Sequence, residues 1–373
     1  MKRVLITGGA GFIGSHVSER LLEHGWDVRI LDSLEPQVHG ANGSALPPHV
    51  LGAVDLRRGD LRDRQQVESA VQGVDAVIHL AAAVGVGQSM YEICRYTSMN
   101  AGATAVLAEA LMVHPVERLV VASSMSVYGE GLYRSAGGEA YGWVRRAPAA
   151  LGRQRWEPED AQGAALRPVP TPEHKRPDLC SIYALTKFDQ EQQCLILGRA
   201  YGMRVAALRL FNVYGPRQSL SNPYTGVLAI FASRLLARRP PVIFEDGGQR
   251  RDFVSVYDVA EAFRLALDTT PDGAVVNIGS GAHRSVLEVA KTLRSALNAE
   301  EVPLEISGKY RAGDIRHCFA DIGLARDLLG YRPQVDFVAG MREYVAWLAE
   351  AGGQSEDKLD VMQAELTSRG LAR

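Results

Sequence analysis

The chain has little charge imbalance, few cysteines and no long apolar run, and each shortage argues against a class of function. Lys and Arg number 41 against 43 Asp and Glu, a formal net charge of -2. With the basic residues scattered, that balance speaks against a nucleic-acid groove or a polybasic membrane contact. Cys94, Cys180, Cys194 and Cys318 form no C-x-x-C pair and no metal-ligand spacing with histidine. They read as reduced thiols of a cytoplasmic protein, and no metal site is expected. No apolar run reaches the ~18 residues a membrane helix requires, and the opening apolar stretch stops at Thr7-Gly8-Gly9, too short for the core of a signal peptide. What is plentiful is apolar residue, 46% of 373, enough for one large core or two closely joined ones.

Val4-Leu5-Ile6 reads as a strand, Gly8-Gly9-Ala10-Gly11-Phe12-Ile13-Gly14 as a turn, and the pattern through Val17, Leu21 and Leu22 as a helix. Glycines there let backbone N–H groups approach a pyrophosphate at a helix N-terminus, although three glycines also suit a plain tight turn. The next strand, Val28 to Leu31, ends in Asp32, placed to accept hydrogen bonds from an adenosine ribose. Neither Arg nor Lys follows in Ser33-Leu34-Glu35-Pro36 to neutralise a 2′-phosphate, which favours NAD over NADP.

Residues 37–50 read as a loop. A strand near 53–58 leads to Asp60-Leu61, and Ala76 to Leu80 forms another, running into Ala81-Ala82-Ala83. Asp60 suits either the adenine edge or a helix cap. A long helix is expected from about Met90 to Val113, and Leu119 to Ala122 delivers Ser123-Ser124-Met125-Ser126-Val127-Tyr128-Gly129 at a strand's carboxyl end. This βα alternation predicts an α/β protein, a Rossmann-type doubly wound parallel sheet with ligands at the strand C-termini. Further on, Tyr183 and Lys187 share one helical face. A buried ammonium would lower the phenol's pKa from about 10 and make it a general base; on a surface the two would be an ordinary solvated pair.

Together the glycine turn from Thr7 to Gly14, Asp32, Asp60-Leu61, Ser124 with Val127-Tyr128-Gly129, and Tyr183-Ala184-Leu185-Thr186-Lys187 resemble the extended short-chain dehydrogenase/reductases. Within them the chain resembles the NAD-dependent nucleotide-sugar epimerase/dehydratases, over nearly its whole length. The resemblance implies catalysis by Tyr183, Lys187 and Ser124. It places NAD against Gly8, Gly11, Phe12, Ile13, Gly14, Asp32, Asp60, Leu61, Leu80, Ala81, Ala82, Asn100, Phe211 and Val213, as well as Tyr183 and Lys187. It places a nucleotide-diphospho-sugar against Val86, Ser124, Ser126, Asn212, Val242, Phe244, Arg251, Arg311 and Asp314, with Asn212 on the diphosphate and Val242–Glu245 along the base. Arg suits a phosphate pair because its planar fork bonds two oxygens at once.

The division expected is a cofactor domain over 1–210, with a returning segment about 253–280, a smaller C-terminal α/β substrate domain over 211–252 and 281–351, and a tail from 352 in which Leu359, Met362 and Leu366 stand at helical spacing. Residues 130–180 form a long insert, either a surface excursion or a lid over the sugar. Its stretch from Trp156 to Leu166 resembles one that carries paired cysteines in some relatives and has none here, so again no metal is expected.

Relatives that expel water place an acidic pair after the serine, where this chain has Met125 and Ser126. That leaves 4-epimerisation through a transient 4-keto sugar. The serine turn, the insert and Arg311 to His317 resemble most closely the dTDP-6-deoxysugar 4-epimerases, such as those acting on dTDP-L-rhamnose. The rivals are a UDP-sugar or UDP-uronate 4-epimerase, a 4-ketoreductase and an NAD-binding sensor. A homodimer through helices 90–113 and 182–200 is implied by the same resemblance.

Overall fold

The computed structural model describes residues 1–40, 46–219, 226–269, 271–310, 314–350, 365 and 367–369. Seven strands carry the fold: β1 (Arg3–Thr7), β2 (Asp27–Asp32), β3 (Asp55–Arg58), β4 (Ala76–His79), β5 (Arg118–Ser124), β6 (Arg204–Leu210) and β7 (Ala274–Ile278). They form one sheet in the order β7-β6-β5-β4-β1-β2-β3, and every pairing is parallel. Parallel strands need crossovers, and the helices that make them cover both faces. On the sheet lie α1 (Phe12–Glu23), α2 (Arg64–Val71), α3 (Ala103–Val113) and α4 (Ile182–Tyr201); of the later helices α5 (Val227–Leu236), α6 (Val256–Thr269), α7 (Val286–Ala296) and α8 (Phe337–Glu350), α6 packs there too.

Side chains alternate along each strand, so Val4 and Ile6 pack with Val17 and Leu21 of α1 and Phe263 of α6, while Leu5 packs on the other face with Val67, Leu107 and Leu195 of α2, α3 and α4. The strand order reverses between β1 and β4, and at such a switch point the loops part to leave a crevice at the carboxyl ends. A separate apolar cluster joins Phe231, Leu293 and Met341 of α5, α7 and α8 to Tyr214 and Phe253.

Three expectations need correction. The helix expected over 90–113 starts at Ile93 and is not regular: Ile93–Tyr96 is α-helical, Thr97–Gly102 is a π turn, and α3 continues it. The loop expected over 37–50 contains two short helical turns, Pro36–His39 and Pro48–Leu51, each opened by a proline at its first position. The insert is a folded unit rather than a bare loop. Leu132–Arg134 pairs antiparallel with both Ala140–Tyr141 and Arg167–Val169, Tyr133, Val144 and Leu166 cluster in its own small core, and Trp156 is buried. Leu359, Met362 and Leu366 lie outside the described residues.

The catalytic helix is tied to the sheet by a buried ion pair. Arg209 on β6 donates to both carboxylate oxygens of Glu191 on α4 at 2.7 and 2.9 Å, and Ser123 Oγ donates to the same group at 2.6 Å. Glu191→Gln is expected to lower stability by about 3–5 kcal/mol, because it strands a buried guanidinium. Urea denaturation measures it, and a loss under about 1 kcal/mol would show the pair to be solvated.

Candidate active site

Helix α4 begins where it does because two side chains take its first free N–H groups. Ser181 Oγ accepts from Ala184 N at 3.1 Å, and Ser89 Oγ, from the turn Val86–Ser89, accepts from Tyr183 N at 3.0 Å. Ser89 is fully buried and itself donates to Val86 O at 2.7 Å, so the stretch carrying Val86 is fastened to the residue that carries the phenol. Tyr96 meets the Tyr183 ring edge-on, with centroids 6.4 Å apart. Neither Ser89 nor Tyr96 had a sequence signal.

At the end of β5, Ser124 Oγ accepts from Ser126 N at 3.2 Å and from Ser126 Oγ at 2.9 Å, which leaves its own proton to give away. It lies close enough to the Tyr183 hydroxyl to favour the phenolate. The structure thus brings Tyr183, Ser124 and Ser126 together. The expected acidification by Lys187 is not what the free protein shows: burial raises the Tyr183 phenol above its ordinary value, and the nearby Ser124 hydroxyl only partly opposes it. The Lys187 ammonium is engaged elsewhere, donating to Gln190 Oε1 at 2.8 Å, and burial draws its pKa down to about 8.

Behind Lys187 runs a buried chain that sequence reasoning missed. Gln190 Nε2 donates to Thr104 Oγ1 at 2.9 Å and to Ala81 O at 3.2 Å, and it stands 3.1 Å from His79 Nε2. His79 Nδ1 lies 2.7 Å from Thr7 Oγ1, and burial lowers the imidazole's pKa to about 3, so it is neutral. The one readable clue was the spacing of Lys187 and Gln190, three apart on one helix. Asn100, in the π turn, accepts from Ala83 N at 2.6 Å and donates to Ala83 O at 3.1 Å and to Thr186 Oγ1 at 3.0 Å. It pins the end of the Leu80–Ala81–Ala82 turn to α4.

The glycine turn fits a dinucleotide. Gly8 has φ 72° and leaves no room for a side chain, since a Cβ would sit 2.8 Å from the Ala81 backbone. A Cβ on Gly11 would meet only Gly8 O, at 3.4 Å, so the turn has an open side there. Helix α1, opening with Phe12 and Ile13, has no side-chain cap and no acidic residue in its first turn, so its N–H groups are left for an anion. Asp32 binds the turn from beneath, accepting from Ala10 N at 3.0 Å and Leu34 N at 2.9 Å, and His39 Nε2 approaches it to 3.4 Å. Leu61 is buried in the core beside β2, and Phe211 is buried beside β7, donating its N–H to Ile278 O at 3.0 Å, with Val213 packed nearby. Asp60 is half-buried and paired with Arg62 at 2.5 and 3.0 Å. The cap of α2 is Asp63, which accepts from Gln65 N and Gln66 N, so the cap reading of Asp60 falls.

On the substrate side, Asn212 Oδ1 is buried without a partner. Arg251 is already committed: it donates to the carbonyls of Arg250 and Arg316 at 3.0 and 2.9 Å and to that of Ile315. Asp314 accepts from Ile315 N at 3.1 Å through its side chain. Val242 pairs with Glu305 in a two-residue parallel ladder, and Phe244 O accepts from Gln249 Nε2 at 2.9 Å. Arg311 lies outside the described residues.

A phenol and a serine at a switch-point crevice, beside a glycine turn that accommodates a dinucleotide, define a dinucleotide-dependent enzyme of proton and hydride transfer. Residues 4–142 and 162–279 match the model of the NAD dependent epimerase/dehydratase family, and the chain belongs to that family. Its cofactor is accordingly NAD. The chain is 35% identical to the dTDP-L-rhamnose 4-epimerase of Burkholderia thailandensis, over 94% of this chain and 95% of that one. Among solved structures, the UDP-glucose 4-epimerase of Thermotoga maritima with UDP-glucose is 29% identical, with a TM-score of 0.76 over 94% of this chain and 99% of that one. That of Thermus thermophilus in complex with NAD is 32% identical, with a TM-score of 0.70 over the same shares.

Proposed function

We propose that the protein is an NAD-dependent isomerase that epimerises a nucleotide-diphospho-sugar at C4, and that its substrate is a dTDP-6-deoxyhexose. The observation that carries this reading is the Ser124 hydroxyl at the end of β5, close enough to the Tyr183 phenol to favour its ionised form, followed by Met125 and Ser126, with no acid to expel a leaving hydroxyl. Tyr183 takes the proton from the C4 hydroxyl, and Ser124 donates to the same oxygen as it becomes a carbonyl. Lys187, bonded to Gln190 in the free protein, would hold the nicotinamide ribose. NAD, when bound, would supply the acceptor and later the donor of the hydride. Because the hydride is returned, turnover is expected with no net NADH consumption, followed at 340 nm; stoichiometric oxidation would make the protein a 4-ketoreductase instead.

A panel of nucleotide sugars ranked by melting temperature tests the substrate. A ligand at 100 times its Kd stabilises the folded state by about 2.7 kcal/mol, so dTDP-L-rhamnose is expected to give the largest shift. A larger one with a UDP-sugar or UDP-uronate would reassign the base. Residues 1–210 with 253–280 are read as the cofactor half and 211–252 with 281–351 as the sugar half. The cofactor and substrate residues expected from the resemblance are proposed in those roles, Arg251 through the 315–316 backbone that it fixes. A homodimer is supported by exposed apolar side chains on the 86–113 segment and α4: Met90, Ile93, Met112, Leu185 and Ile196. A cytoplasmic setting is supported by four unpaired cysteines.

A further inference from the structure

The insert leaves the serine turn at Glu130 and returns to α4 at Cys180, and its stretch 143–161 falls between the two segments that match the family model. Family membership therefore does not account for Arg146 and Glu157, which lie in that stretch. Arg146, its side chain 5% exposed, donates to Glu245 Oε1 at 2.5 Å and to Asp314 O at 2.6 Å, and stands 3.4 Å from Glu130 Oε1. From the other side Arg316, 2% exposed, donates to Glu245 at 2.8 Å, Asp246 at 2.7 Å and Glu157 at 2.7 Å.

Glu245, shared by both arginines, is almost fully buried and holds φ 53°, a left-handed backbone that a side chain of its kind seldom adopts. Glu130 closes the ring by accepting the backbone N–H groups of Arg316 and His317 at 2.8 and 3.2 Å. His317 Nε2 in turn lies 2.7 Å from Glu157 Oε2. One connected cluster thus reaches the serine turn, the 242–249 turn and the 314–318 arm to which Arg251 is bonded. Charges this deep are tolerated only when each is paired, so the cluster admits essentially one arrangement.

We propose that the insert is a brace keyed by Arg146, which sets the 242–249 turn and the 314–318 arm at the spacing from the serine turn that a nucleotide diphosphate must bridge. Arg146 is then a positioning residue for substrate, an assignment that rests on the nucleotide-sugar reading above. In full-length Arg146→Gln, cooperative melting and NAD affinity by calorimetry are expected to persist. The Kd for dTDP or UDP, used as probes, and the KM of the accepted nucleotide sugar should rise about tenfold or more, with kcat held within about threefold. Should half-paired Glu245 prevent folding, Arg146→Gln/Glu245→Gln removes both charges and is read in the same assays.

Unchanged nucleotide affinity overturns the brace, and so does an equal loss of NAD affinity, which would mark a general structural defect. If the unmodified protein binds NAD but neither dTDP nor UDP, the substrate reading fails instead. The brace is then judged by amide hydrogen exchange at 245–250 and 314–318, where unchanged rates in the variant reject it and faster exchange supports it.

Discussion

Tyr183→Phe is expected to keep its affinity for NAD and to lose about 10²–10⁴-fold in kcat, the range a positioned general base contributes. The reason is local. The ring sits against Tyr96 edge-on, and its backbone is held by Ser89, so phenylalanine should occupy the same space. Only the hydroxyl beside Ser124 is removed. Steady-state kinetics with calorimetric NAD titration reads both halves of the expectation. Undiminished turnover would remove Tyr183 from the chemistry and assign the base to another residue. Ser124→Ala should act in the same direction but less strongly, since water can enter to replace a hydroxyl donor.

Gly14→Ala is expected to cost about 1–3 kcal/mol of stability, as overpacking does in a rigid site, and to abolish measurable NAD binding. Its Cβ would lie 2.4 Å from Gly8 O and 2.5 Å from Gly9 Cα. Both are backbone atoms of the turn, so no side chain can swing aside and the turn itself must deform. Gly11→Ala separates cofactor from fold. There the Cβ meets only Gly8 O at 3.4 Å, so the urea midpoint should be preserved while the added methyl obstructs the cradle and weakens NAD binding. A Gly11→Ala protein that bound NAD normally would move the pyrophosphate away from this turn.

The parts legible in the sequence were those whose partners are close in the chain. The strand, glycine turn and helix around Gly8–Gly14 are consecutive, Tyr183 and Lys187 are one turn apart, and the alternating strands and helices announced a parallel sheet. What stayed hidden depends on residues brought together from a distance. Ser89 holds Tyr183 across 94 positions, and Arg146 meets Glu245 across 99; no spacing rule connects them. The acidity of Tyr183 was misread for a different reason. Sequence can place a lysine one helical turn from a tyrosine, but it does not show that burial raises the phenol's pKa or that Gln190 has already engaged the lysine. Asp60 was ambiguous because Asp63, three residues on, fits a cap equally well, and only the backbone geometry chose between them.

The π turn at Thr97–Gly102 works as a phase shifter along one rod. An α-helix advances about 100° per residue, and a π turn holds one residue more than the regular winding would. Tyr96 on one side of it can therefore face Tyr183 while Leu107 and Leu111 on the other side face the core. Removing a single residue between Thr97 and Gly102 would let the helix wind regularly and swing Tyr96, together with the turn bearing Ser89, by roughly a quarter of a circle. In this family member, tolerance to substitution along that segment and intolerance to deletion within it should therefore be very different things.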